Sequence, residues 1–139
     1  MKASPEDAWK ALVQLSRWWS DAHTYSGKAA NLSLDLQAGG CWCERWGDGA
    51  SVEHARVVMI MPGRALRLHG EFGPLQDLPV KGVLNLATGV QDGKTMLRMS
   101  YRVGGPPDAG LEKLAPIVDK VLGQAYGRLK NLVETGKAD

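Results

Sequence analysis

Hydrophobic positions change their spacing twice along the chain, and each change predicts a different kind of element. Trp9, Leu12 and Val13 recur at helical spacing. Ser4-Pro5-Glu6-Asp7 marks where that helix starts. The serine hydroxyl accepts a free backbone N–H, proline loses nothing at the first helical position, and the two acids oppose the helix dipole. Leu15, Trp18 and Trp19 predict a second, short helix. From about residue 30 the period falls to two. Leu32, Leu34 and Leu36 alternate with Ser33, Asp35 and Gln37, the pattern of a half-buried strand. Gly39-Gly40 turns the chain into a strand over 41–46, and Gly47-Asp48-Gly49 offers a hairpin into a longer one over 51–61. Pro62-Gly63 ends it, and alternation resumes over 65–72 with Leu66, Leu68 and Phe72 on one face. A loop over 73–79 leads to a strand at 80–88. The turn Gln91-Asp92-Gly93-Lys94 leads to the last strand, 95–103, where Leu97, Met99, Tyr101 and Val103 share a face. The spacing then returns to helical. Leu114, Ile117, Val118, Val121, Leu122, Ala125, Leu129, Leu132 and Val133 form one broad apolar stripe, with Pro116 near its start and Gly136 as its stop.

Two short helices, six meandering strands and one long terminal helix make an α+β pattern. A sheet with one apolar face needs a cover, and only the last helix is long and apolar enough to supply it. A curved sheet gripping one helix cannot touch it everywhere. The geometry therefore predicts a cavity between sheet and C-terminal helix, with a tightly filled core as the alternative.

Length and charge narrow the function classes. The 139 residues amount to one domain, spanning 1–139, with enough chain for a core of its own. Seventeen basic against fifteen acidic side chains leave a net charge of +2, too balanced for a nucleic-acid binder that works by neutralising phosphates. No stretch approaches the roughly 20 apolar residues of a membrane span. No phosphate-cradling or dinucleotide-binding glycine motif is present, so no cofactor is expected. Five Trp against one Phe is unusual, and bulky aromatics suit either a core or a pocket wall.

Three segments resemble one known superfamily. They are Ser4 to Leu12, then Arg17-Trp18-Trp19, then Leu34-Asp35-Leu36-Gln37-Ala38-Gly39-Gly40. Met61 to Leu68 and the closing Arg128-Leu129-Lys130-Asn131-Leu132 fit the same pattern. Together they resemble the START-like, or SRPBCC, superfamily, and within it the branch similar to the activator of the heat-shock chaperone ATPase and to the polyketide cyclases. The resemblance implies a helix-grip fold, in which a curved antiparallel sheet of about six strands wraps a long C-terminal helix. It also implies a strand ahead of the first helix, of which this chain holds only the last residues. Without that strand the sheet has a bare edge, inviting a homodimer by edge pairing. The compartment is cytoplasmic by default, or periplasmic if the natural N-terminus carries an export signal. Three function classes follow from the resemblance: a binder of a small apolar or aromatic molecule, a cyclase- or hydrolase-type enzyme, and a module acting on a chaperone. Binding is the reading preferred here.

The candidate chemistry gathers on one strand. Trp42 and Trp46 share a face, with Glu44 between them. If that face is inward, a carboxylate enters an apolar cavity, where burial would raise its pKa and make it a proton donor or acceptor. Across the hairpin one register opposes Glu44 with Glu53 and the next with His54, giving a shared proton or an acid–base pair. The proposed ligand wall comprises Trp18, Trp42, Trp46, Leu68, Phe72, Leu84, Met99, Tyr101 and Val118, with Glu44 as its main polar group. His23 and Tyr25 fall in a loop near the expected entrance. Cys41, Cys43 and His54 converge in one register, but the C-x-C spacing argues against zinc, and no metal is expected. In a regular strand the two cysteines stand about 6.7 Å apart, so a bond between them would need a distorted strand.

Overall fold

A computed structural model describes all residues 1–139. Helix α1 spans Pro5–Leu12, and the Ser4 hydroxyl accepts the Asp7 N–H as the capping pattern requires. Helix α2 is one turn, Leu15–Trp18. Six strands follow: β1 Leu32–Leu34, β2 Cys41–Trp46, β3 Ala50–Met61, β4 Ala65–His69, β5 Lys81–Gln91 and β6 Lys94–Gly104. They form one sheet in sequence order, each strand antiparallel to the next. Helix α3, Leu111–Thr135, closes the chain. This is a helix-grip fold of the α+β class. No helix is long and apolar enough to cross a membrane.

The first strand is shorter than its alternation predicts. Leu36 is exposed, and the Asp35 carbonyl accepts the Gln37 N–H in a tight turn rather than a ladder bond. Gly40 cannot be replaced there, because a Cβ would collide with the backbone carbonyls of Asp35 and Gln37. Conversely β5 and β6 run longer than predicted, through to the Asp92-Gly93 turn. Asp92 and Gly93 both have positive φ, the conformation a two-residue hairpin of this type needs.

The core lies between the sheet and the helices. Leu66, Leu68, Leu84 and Leu86 from the sheet meet Leu122, Ala125, Leu129 and Leu132 of α3. Trp18 is sealed against them, its indole N–H donating to the Leu12 carbonyl at 3.1 Å. Arg128 ties α3 to α2 by donating to the Trp18 carbonyl at 2.9 Å. Pro116 sits in the second turn of α3, where it removes the N–H that would have reached the Glu112 carbonyl. Strands β1 and β6 are the two sheet edges. Residues 1–3 run beside the start of β6, with the Thr95 hydroxyl donating to the Ala3 carbonyl.

Neither register expected for the β2–β3 hairpin is the one observed. Trp42 pairs with Ala55 and Cys43 with Glu53, leaving His54 as an extra residue on β3, and Glu44 lies opposite Val52. This is a β-bulge, and it changes which residues face inward: His54 and Ala55 are both buried although adjacent. On the other side of the same irregularity Cys41 and Cys43 are joined as a disulfide, with their Cα atoms drawn to 5.4 Å. The distortion that such a bond requires is therefore present. The cysteines are half-buried and buried, and neither is free.

Candidate functional site

The bulge brings Glu44 and His54 together. Nε2 of His54 is 2.8 Å from Oε1 of Glu44. Glu44 is wholly buried, and its carboxylate also accepts the backbone N–H groups of Tyr25 at 3.2 Å and Ser26 at 2.6 Å. A one-turn 3-10 segment, Asp21–His23, and the Asp21 carboxylate, which accepts the Ala29 N–H at 2.7 Å, hold this loop in place. Burial by itself would raise the Glu44 pKa, as the sequence argument supposed. The hydrogen bonds from Ser26, His54 and Tyr25 outweigh it and set the pKa below the ordinary 4.5. Glu44 is thus an ionised acceptor. Glu53 takes no part: it is exposed and bound by Arg56 of its own strand, at 3.1 and 2.8 Å.

This depressed pKa has a consequence for stability. A group ionised more readily in the folded state stabilises the fold above its unfolded pKa, and the stabilisation is lost as pH falls through the lower folded value. Thermal unfolding followed by circular dichroism should show Glu44's contribution intact at neutral pH and disappearing only in acid, below the usual carboxylate range. Subtracting the profile of Glu44→Gln isolates that contribution. A contribution lost near neutral pH would contradict an ionised, hydrogen-bonded Glu44.

Two cavities lie along α3, and the smaller one reaches His54. The larger, about 1230 Å³, lies between β5, β6 and α3, and twelve of its eighteen lining residues are hydrophobic. Met99, Tyr101 and Val103 of β6 face Leu114, Val118 and Leu122 of α3 across it. The smaller, about 460 Å³, is walled by Trp19, Phe72, Ile117, Val118, Val121 and Leu122, with His23, Thr24, Tyr25 and His54 supplying polar groups. Val118 and Leu122 line both. Phe72 of the smaller and Tyr101 of the larger are in contact, ring centroids 5.3 Å apart, so this aromatic pair stands in the partition. The Tyr101 hydroxyl donates to the Gly70 carbonyl at 2.7 Å. Burial, reinforced by the Glu71 charge, pushes its pKa up to about 12.

The candidate wall residues divide into three groups. Met99, Tyr101 and Val118 line the larger cavity, and Phe72 and Val118 the smaller. Trp18, Trp42, Leu68 and Leu84 are sealed in the core and line neither. Trp46 is half-buried and also lies outside both, as does Glu44, which is screened from the smaller cavity's surface by its position behind His54. Trp42 instead belongs to an aromatic cluster, its ring 5.0 Å from Trp19 and 4.9 Å from Phe72. Its indole N–H has no partner, alone among buried side-chain polar atoms. Trp19 of the second helix is not among the proposed ligand-wall residues, yet the structure places it on a cavity wall. It lines the smaller cavity and its N–H donates to the His23 carbonyl at 3.0 Å. Ile117 and Val121 were seen only as part of the helix stripe, although a stripe wider than the sheet can cover is itself the signal of a cavity wall.

Comparison with solved structures places the architecture in known company. The chain is similar to an uncharacterised protein from Rhizobium leguminosarum, at 18% identity over 96% of this chain and 89% of that one, with a TM-score of 0.62. A Staphylococcus aureus protein of unknown function gives 14% identity, 97% and 89% coverage and a TM-score of 0.59. The Aha1 dimer of Colwellia psychrerythraea gives 17% identity, 99% and 92% coverage and a TM-score of 0.54. At these identities the likeness is one of fold, the helix-grip arrangement. No protein-family profile and no curated protein matches the sequence.

Proposed function

We propose that the protein binds a small apolar or aromatic molecule between its sheet and α3, as a member of the START-like superfamily. The observation that carries this reading is the cavity of about 1230 Å³ between β5, β6 and α3, hydrophobic at twelve of eighteen lining positions. A volume of this size is ample for a small molecule, whose sites run from about 300 to 1,000 Å³, and a mostly apolar lining with a few polar groups is their usual make-up. Met99, Tyr101 and Val118 are the proposed contacts, and Phe72 extends the site into the smaller cavity. Trp18, Trp42, Leu68 and Leu84 support the wall from behind. The edge of β6 is the proposed place for pairing with a second copy.

Native mass spectrometry tests the reading. Protein incubated with naphthalene-sized aromatics should gain the mass of one ligand, and Val118→Trp, which fills the shared wall of both cavities, should reduce that fraction at least tenfold. Bare protein throughout, or equal loading of the variant, would overturn it. General acid–base catalysis is a second reading, favoured by the 2.8 Å contact of Glu44 with His54. Its test is whether a bound ligand changes mass on incubation with the native protein and not with His54→Phe. An interaction module acting on a chaperone has its support in the likeness of fold alone.

A further inference from the structure

The smaller cavity is apolar along one side and carries a single prepared acceptor on the other. The ionised Glu44 carboxylate can only accept hydrogen bonds, so the proton between it and His54 belongs to Nε2. In its neutral form the imidazole then presents Nδ1 as a lone pair. That atom has no hydrogen bond within the protein, and it is not among the sealed, unpartnered atoms, of which Trp42 Nε1 is the sole example. His54 lines the smaller cavity, so Nδ1 opens onto it. The other polar side chains there are occupied or peripheral. Thr24 donates to the Asp21 carbonyl and accepts the Gly27 N–H, and the Tyr25 hydroxyl donates to Gln76. His23 is half-buried at the rim. No Lys, Arg, Asp or Glu lines the cavity, so an ionised ligand would meet no formal counter-charge. The Tyr25 ring lies nearly parallel to His54 at 5.7 Å, fixing the imidazole plane, while Trp19 and Phe72 offer flat apolar surface beyond it.

Resting on the binding reading above, we propose that the smaller cavity takes a neutral, flat aromatic molecule bearing one weakly acidic hydroxyl, which donates a hydrogen bond to Nδ1 of His54. Glu44 does not touch this ligand. It is a positioning residue: its carboxylate selects the imidazole tautomer, and its bonds to Tyr25 and Ser26 hold the loop that lines the cavity beside His54. A hydroxyl offered to a properly oriented buried acceptor is discriminated from its capped analogue, because the capped form leaves that acceptor unpaired.

The test compares naphthol with its methyl ether, methoxynaphthalene, by titration at neutral pH, following quenching of tryptophan fluorescence. The wild-type protein should bind naphthol about tenfold more tightly than the ether, as one good hydrogen bond allows. His54→Phe should bind both alike with the ether's affinity unchanged, whereas His69→Phe, at a histidine of β4 that lines neither cavity, should keep the preference. Glu44→Gln, where folded, should lose the preference more than it loses ether binding. The wild-type comparison needs no variant to fold. If both probes bind wild-type protein equally, or if His69→Phe erases the preference, the inference is wrong while the apolar site stands. If neither probe binds, both the inference and the binding reading fail.

Discussion

Glu44→Gln is expected to destabilise the protein by about 3 kcal/mol, the scale of leaving buried donors unpaired when a charged hydrogen-bond acceptor is removed. The substitution barely changes volume, so packing contributes little to the loss. What changes is the number of acceptors. The carboxylate serves the Tyr25 and Ser26 N–H groups and His54 Nε2 at once, whereas an amide offers one oxygen and turns a donor toward the rest. At least one buried donor is left unpaired. For a domain of this size the loss corresponds to a fall of about 10 °C in melting temperature. Urea denaturation at neutral pH measures it directly. A change below about 0.5 kcal/mol, the level of an ordinary surface substitution, would show that the carboxylate is not the centre of this network.

Trp42→Ala should cost about 4 kcal/mol, among the largest single losses in the chain. Trp42 is 1% exposed and joins Trp19 to Phe72, so its removal leaves a hole that three elements cannot close together. Trp42→Phe should cost less than half as much. It keeps an aromatic ring in the cluster and removes the unpartnered indole N–H, whose burial is unfavourable in the native protein. Equal losses for the two variants would mean that the N–H has a partner, such as an ordered water. The two residues are two positions apart on β2, so a double variant should be non-additive.

The fold was legible because its signals are local and repeated. Ser4-Pro5 capped a helix, period-two alternation gave five strands nearly in full, and the stripe from Leu114 to Val133 marked α3. The resemblance to START-like proteins added the grip arrangement, and the likeness of fold to the Aha1 dimer agrees with it. The site was legible only in part. Glu44 and His54 stood out as chemistry-bearing residues, but whether they meet depends on one extra residue in β3. A bulge reverses the facing of every later side chain, and no motif in Ser51-Val52-Glu53-His54-Ala55 announces it. Trp42 and Trp46 illustrate the same limit from the other side. Period two puts them on one face, yet one is sealed in the core and the other sits half-exposed at the strand end. Alternation reports a face, and it does not distinguish a filled core from a cavity wall.

Cavity walls come instead from places where two apolar surfaces diverge. Leu97, Met99, Tyr101 and Val103 on β6 and Leu114, Val118 and Leu122 on α3 are each ordinary core patterns. Only their separation in space makes a site, and separation is not written in either pattern. The tight contacts elsewhere keep that gap open. A Cβ on Gly82 would collide with the Gly70 carbonyl and with the Tyr101 hydroxyl bonded to it, and one on Gly70 with His54 and Ala55 of β3. Tyr101 is thereby held against Phe72 in the partition between the two cavities.

The most direct test of binding between sheet and helix is a titration with aminoanthracene, an apolar dye that brightens out of water, in wild-type protein and in Val118→Trp. The expected result is saturable, one-to-one binding in the wild type and at least a tenfold weaker response in the variant, with thermal stability preserved. Unsaturable binding in both proteins, or equal affinity in the two, would contradict a ligand site between β6 and α3.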